Sequence, residues 1–219
     1  MKNYSEAIKK CPLFDGIDDT ELERLLHCLG AKIVEFDKKF TIFAEGTPAT
    51  NIGILLDGAA QTVQVDYYGN RSILSDIKAG EMFGEAFACA ETPSLPISVI
   101  ASEPSAVMLI NCAHVLHTCK NSCGFHHQLI FNLMKDLATK NIAFHKRIEI
   151  TSKRSTREKL LTYLAMQAKR SGTSSFSIPF DRQELADYLE VDRSGLSSEI
   201  SKLKNEGVID CYKNSFKLL

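Results

Sequence analysis

Residues 181–219, DRQELADYLEVDRSGLSSEISKLKNEGVIDCYKNSFKLL, read as a helix, a tight turn, a second helix and a small hairpin. Asp181 stands where a helix N-cap belongs, and Glu184 three residues on completes a capping box. Leu185, Ala186 and Leu189 form the inward face of the first helix, and Val191 falls in the turn, where an apolar side chain locks the two helices together. Asp192 caps the second helix, whose inner face is Leu196, Ile200 and Leu203. Its outer face presents Arg193, Ser194, Ser197, Ser198, Ser201, Lys202 and Lys204. Gly207 ends it, and residues 208–219 alternate as two strands around Lys213-Asn214.

Such a helix fits the major groove of B-DNA, with its N-terminal residues against base edges. Arg193 is placed to pair bidentately with guanine, a contact worth roughly 1–3 kcal/mol of base discrimination. Short serines at 194, 197 and 198 let the helix approach closely. Arg182, Gln183, Lys202, Lys204 and Lys213 complete the expected DNA-contacting set, the cations chiefly on phosphate. A helix pair alone reads equally as a solvated hairpin. The hairpin after it and the short strand SFSIPF before it tip the reading to a winged helix-turn-helix.

Upstream, TREKLLTYLAMQAKR is a helix ended by Ser171-Gly172, and Thr151–Ser155 reads as a hinge. From His126 to Ser152 runs a long helical pattern. Its apolar positions Ile130, Leu133, Leu137, Phe144 and Ile148 are spaced 3, 4, 7 and 4 apart. One narrow stripe on a long helix predicts a parallel homodimer, against the alternative of a helix packed on its own domain. From about 31 to 111 the texture is short β-type runs cut by glycines 46, 53, 58, 69, 80 and 84. That spacing predicts an antiparallel roll, with a hairpin at Asp66-Tyr67-Tyr68-Gly69-Asn70. Residues 3–29 are helical in pattern; Asp18 or Asp19 caps a face of Leu22, Leu25, Leu26 and Leu29.

The chain of 219 residues is 44% hydrophobic and 24% charged, enough for two packed domains. The net charge of −1 hides an asymmetry: residues 151–219 carry 12 Lys/Arg against 9 Asp/Glu, the remainder 14 against 18. A basic C-terminal third suits a nucleic-acid partner. No run approaches the roughly 18–20 apolar residues of a membrane span, and MKNYSEAIKKCPLF lacks a signal-peptide core, so a cytoplasmic protein with no membrane partner is expected. Seven scattered cysteines then read as free thiols, core residues or ligands.

The segment RQELADYLEVDRSGLSSEISKLKNEGVI resembles the helix-turn-helix of the Crp/Fnr superfamily, with its R-Q-E-[LIV]-A motif, and the resemblance extends over essentially the whole chain. EGTPATNIGILLDGAAQTV and DIKAGEMFGEAF look like that family's cyclic-nucleotide-binding β-roll, and the final segment resembles members common in anaerobic Firmicutes. The resemblance implies an α+β chain of two domains. A jelly-roll-like antiparallel β-roll with flanking helices spans 1–125, a dimerisation helix 126–152, and a winged helix-turn-helix 153–219. It implies a homodimer on a pseudo-palindromic double-stranded operator, and RNA polymerase as a partner if the protein activates.

In members that bind cyclic AMP, a Phe-Gly-Glu run is followed by an arginine that neutralises the cyclic phosphate. Phe83-Gly84-Glu85 is kept, but Leu95 and Pro96 stand at the arginine position, and no Lys or Arg occurs between Lys78 and Lys120. A buried phosphodiester without a cation is strongly disfavoured, so cyclic AMP is not the expected effector. The expected pocket (Phe83, Gly84, Glu85, Phe87, Leu95, Pro96 and Phe144) suits an unidentified small molecule such as an organic or aromatic acid, and no cofactor is assigned. A rival sensor is the Cys/His-rich tract 112–127, in which Cys119, Cys123 and His127 have helical spacing for a metal ion or redox chemistry. With only Cys11 near the start, an N-terminal iron–sulfur cluster is not expected. An effector-independent DNA-binding dimer is the third alternative. No His occurs between His27 and His114 to build a cupin-type site, and no nucleophile-elbow or phosphate-loop motif is present, so no enzyme is expected.

Overall fold

The computed structural model describes residues 4–65, 67–68, 71–116 and 125–219. The chain divides into two compact units, Met1–Ala138 and Thr139–Leu219. No helix among the described residues is long and apolar enough to cross a membrane.

The first unit opens with helices α1 (Ser5–Lys10) and α2 (Asp19–Cys28), separated by a 3-10 turn, Pro12–Phe14. Proline cannot continue α1, and Gly16 at φ +74 turns the chain toward α2. Asp18 holds the N-cap position without a side-chain bond to the helix; Leu22, Leu25 and Leu29 are buried and Leu26 is half-buried.

Among the described residues eight strands follow: β1 (Lys32–Phe36), β2 (Thr41–Phe43), β3 (Asn51–Asp57), β4 (Ala59–Val65), β5 (Arg71–Lys78), β6 (Met82–Phe83), β7 (Ser98–Ala101) and β8 (Ser105–Asn111). They form two four-stranded antiparallel sheets, ordered β1-β8-β3-β6 and β2-β7-β4-β5. The β4–β5 ladder is the expected hairpin, although Asp66, Gly69 and Asn70 of its turn lie outside the described residues.

Strand β3 is buried on both sides, and its period of two sorts its side chains. Ile52, Ile54 and Leu56 join a core with the helices, while Leu55 joins a second core with Ala60, Ile77, Phe83, Val99 and Val107. Helices α3 (Glu85–Cys89) and α4 (Cys112–Leu116) lie within this unit.

Helix α5 (Phe125–Thr151) supplies Leu129 and Leu133 to the first core. Buried Asn132 stitches it down, donating to the carbonyls of Leu13 at 3.0 Å and Asp15 at 2.8 Å. Its last turn supplies Ile150 to the core of the second unit.

That unit contains α6 (Thr156–Ser171), β9 (Ser175–Ser177), α7 (Arg182–Leu189), α8 (Arg193–Asn205), β10 (Ile209–Tyr212) and β11 (Ser215–Leu218). The Ser155–Glu158 and Asp181–Glu184 capping boxes start α6 and α7, and Gly172 at φ +70 ends α6. The strands form one antiparallel sheet, β10-β11-β9.

Candidate nucleic-acid interface and ligand cavity

The turn between α7 and α8 is held by backbone and side chain together. Glu190 adopts a left-handed conformation at φ +53, and the Val191 amide donates to the Ala186 carbonyl at 3.0 Å. Lys159 of α6 donates to the carbonyls of Leu189 and Glu190 at 3.1 and 3.2 Å, placing a cation at the negative end of α7. The Asp192 carboxylate accepts from the Gly195 amide at 2.8 Å and from the Ser194 hydroxyl, which together hold it below its ordinary range. Arg157 of α6 grips Glu206 through both terminal nitrogens, at 3.1 and 2.5 Å, just beyond the far end of α8. Helix α8 is thus fixed at both ends.

Its inward face, Leu196, Ile200 and Leu203, is buried, and the opposite face is exposed. Ser194, Ser197, Ser198, Ser201 and Asn205 lie along the middle of that outer face, flanked by Arg193, Lys202 and Lys204. Asn205 was not among the expected residues, yet its place one turn beyond Ser201 makes it part of the same surface. Ser201 donates back to the Ser197 carbonyl at 3.0 Å.

The cations differ in freedom. Arg193 is exposed and has no ion-pair partner among the described residues. Lys204 donates to Asp210 at 2.9 Å and to the Cys211 carbonyl at 3.2 Å, tying the helix to the wing. Lys202 lies 3.7 Å from Glu199. Arg182 is half-buried over the Phe216 ring at 5.1 Å, and Gln183 donates to Asp187 at 2.9 Å. Lys213, at the tip of the wing with φ +53, lies 5.7 Å from the Tyr212 ring centroid.

In the first unit a cavity of about 290 Å³ is lined by residues including Ile42, Phe43, Thr47, Thr50, Asn51, Gly84, Leu95 and Leu109. Gly84 and Leu95 of the expected pocket are there, and none of the described lining residues is a cation. Phe83 is instead buried behind Phe43, ring centroids 5.2 Å apart. Glu85 is 5% exposed in the first turn of α3, Phe87 is half-buried and Pro96 exposed. Phe144 belongs to the second unit and is 64% exposed. Gly84 has φ +77, and a Cβ there would lie 2.6 Å from the Phe43 ring; a structural demand thus accounts for this glycine.

The dimerisation stripe also needs correction. Leu133 is 2% exposed and Leu137 packs on the same core, because the β-roll unit covers that face of α5. Ile130 is half-buried. Phe144 and Ile148 remain exposed, joined by Phe131, Met134 and Ile142, which the spacing argument passed over.

Within the Cys/His tract, the His114 ring lies 2.9 Å from the Leu29 carbonyl and buried His126 lies 3.2 Å from the His114 carbonyl. His127 is exposed, and Cys119 and Cys123 lie outside the described residues. Among the described residues no three His, Cys, Asp or Glu converge on a metal position.

A β-roll followed by a winged helix-turn-helix defines a DNA-binding transcription regulator. Residues 33–122 match the cyclic nucleotide-binding domain family, and residues 158–219 match the Crp-like helix-turn-helix domain. The chain belongs to the Crp/Fnr family of transcription regulators, which are not enzymes. It is 25% identical to the transcriptional activatory protein AadR of Rhodopseudomonas palustris, over 95% of this chain and 84% of that protein. It is 33% identical to the transcriptional activator FnrL of Cereibacter sphaeroides, over 27% of this chain and 28% of that protein. Its fold is similar to that of the c-di-GMP responsive regulator CLP of Xanthomonas campestris, at 14% identity and a TM-score of 0.57, covering 92% of this chain and 99% of the other. The expected kinship with members from anaerobic Firmicutes is not borne out by these relatives.

Proposed function

We propose that the protein works as a homodimer on a pseudo-palindromic operator, with half-sites about one helical turn, roughly 34 Å, apart. The exposed serine face of α8 with the exposed Arg193 at its start carries this reading. Arg193 reads a base, Ser194, Ser197 and Ser198 line the groove, and Arg182, Gln183, Lys202, Lys204 and Lys213 hold the backbone. The boundaries at 125/126 and 152/153 separate sensor, dimerisation helix and DNA-binding domain. The exposed apolar residues of α5 pair with their copies in the partner subunit. Two of the relatives are named as activators, which supports RNA polymerase as a further partner.

The cavity beside Gly84 and Leu95 takes a small organic effector in place of a cyclic nucleotide, since its lining offers no charge to a phosphate. Such an effector controls DNA binding only by favouring one arrangement of the dimer over another. Two experiments test the reading on the purified chain. Titration calorimetry with cyclic AMP is expected to show no saturable heat at micromolar concentration; micromolar binding overturns the cavity assignment. Sedimentation of the chain with duplex DNA is expected to give two protomers per site; one protomer per site overturns the dimer.

A further inference from the structure

Cys89 is the last residue of α3 and Cys112 the first of α4, and their sulfurs lie 3.6 Å apart. Cys112 is 3% exposed, while Cys89 is half-buried. Each is connected to the cavity lining through its own element. Helix α3 starts at Gly84 in the cavity lining, and the Cys112 amide donates to the carbonyl of Thr50, another lining residue, at 2.9 Å.

The two thiols are not equivalent. The hydrogen bond shared with Cys112 holds the Cys89 thiol below its usual range, against burial and the nearby Glu85 carboxylate. The same bond, with burial and the charges of Cys89 and Glu91, pushes the Cys112 thiol far up. Cys89 is the half-buried residue of the pair and Cys112 the buried one. This is the division of labour between an attacking and a resolving cysteine.

We propose that Cys89 and Cys112 form a reversible dithiol–disulfide pair that reacts with hydroperoxides. The Cys89 thiolate attacks the terminal peroxide oxygen. The O–O bond breaks, and the departing hydroxide or alkoxide takes a proton, leaving Cys89 as a sulfenic acid. Cys112 then loses its proton and attacks the Cys89 sulfur. The S–O bond breaks and its oxygen leaves as water. Two thiols and one hydrogen peroxide thus give one disulfide and two waters, with two electrons passing from sulfur to peroxide. The sulfurs must approach from 3.6 Å to the roughly 2.05 Å of a disulfide. A dithiol reductant reverses the step by two exchanges. The bond ties the helix that opens at the cavity to the helix that leaves the last strand of the roll. It is a sensing site separate from the DNA-binding reading and does not depend on it.

The test uses the full chain, reduced and freed of reductant. It is treated with equimolar hydrogen peroxide, alkylated, and digested without reduction for peptide mass spectrometry. The expected product is a peptide pair joined through Cys89 and Cys112, the dominant cross-link, which disappears with dithiothreitol. In Cys112→Ser, Cys89 is expected to stop at a sulfenic acid captured by dimedone. In Cys89→Ser, peroxide consumption falls by about tenfold. Mapping of the unaltered chain needs no variant to fold. Recovery of both cysteines alkylated after peroxide treatment, or a dominant disulfide between other cysteines, would overturn the proposal.

Discussion

The Lys204 ammonium lies 2.9 Å from the Asp210 carboxylate, joining the last turn of the recognition helix to the first wing strand. The pair is half-exposed, so it contributes little to stability. On the proposed reading its effect falls on DNA binding, because a lysine engaged by a carboxylate releases fewer counterions on meeting phosphate.

Asp210→Asn is therefore expected to free Lys204. The slope of log affinity against log salt should steepen by up to about 0.9, with tighter binding at low salt. An unchanged slope would show that Lys204 does not reach the DNA backbone.

Arg193→Ala is expected to lower the preference for the cognate site by roughly 1–3 kcal/mol, while weak nonspecific binding persists. Arg193→Lys restores charge but not the bidentate fork, so the preference should remain impaired. Competition assays against a randomised duplex measure both. Retained preference in the alanine variant removes Arg193 from the base-reading role.

Neighbouring residues of α5 should behave oppositely. Leu133→Ala opens a hole in the chain's own core and is expected to cost about 2–5 kcal/mol in denaturant unfolding. Met134→Glu, at a position 64% exposed, is expected to leave the fold of the chain intact and raise the dimer dissociation constant by tenfold or more, about 1.4 kcal/mol. Sedimentation equilibrium separates the two. Met134→Glu remaining a tight dimer would place the interface elsewhere.

The second unit carries carboxylates held below their ordinary range: Glu158 by the Ser155 amide and hydroxyl, Asp192 by the Ser194 hydroxyl and the Gly195 amide, Glu206 by Arg157, and Asp210 by Lys204. Between their folded and unfolded values the unfolded chain binds more protons, so stability rises with pH there. Their contribution is fully present above the ordinary carboxylate range of about 4, and is lost as pH falls through the lower folded values. All four are exposed, so added salt should flatten the acid decline. Unfolding curves from pH 7 to pH 2 check this. Stability that rises on acidification would contradict it.

Local signals in the sequence transferred well to the second unit. Asp181 with Glu184, Asp192, and Gly172 are backbone devices whose partners lie within three or four residues, so spacing alone locates them. The dimer stripe was less legible. Helical period identifies apolar faces but not what covers them, and both Leu133 and Met134 satisfy it; only the fold of residues 4–116 over one face distinguishes them. The cavity failed for a similar reason. Phe43, Thr47 and Thr50 meet Gly84 and Leu95 through contacts between residues distant in sequence, such as the Leu95 amide donating to the Thr47 carbonyl at 2.8 Å, which leave no trace in local spacing. The engagement of Lys204 by Asp210, and the packing of Arg182 on Phe216, likewise depend on how the wing folds back on the helices.

The most direct test is selection of bound sites from a random duplex library by the purified, reduced chain. The account predicts a two-fold symmetric consensus with half-sites one helical turn apart, and loss of a guanine from each half-site when Arg193→Ala is used. A consensus without two-fold symmetry, or the same consensus from the Arg193→Ala variant, would contradict a dimer reading DNA through α8.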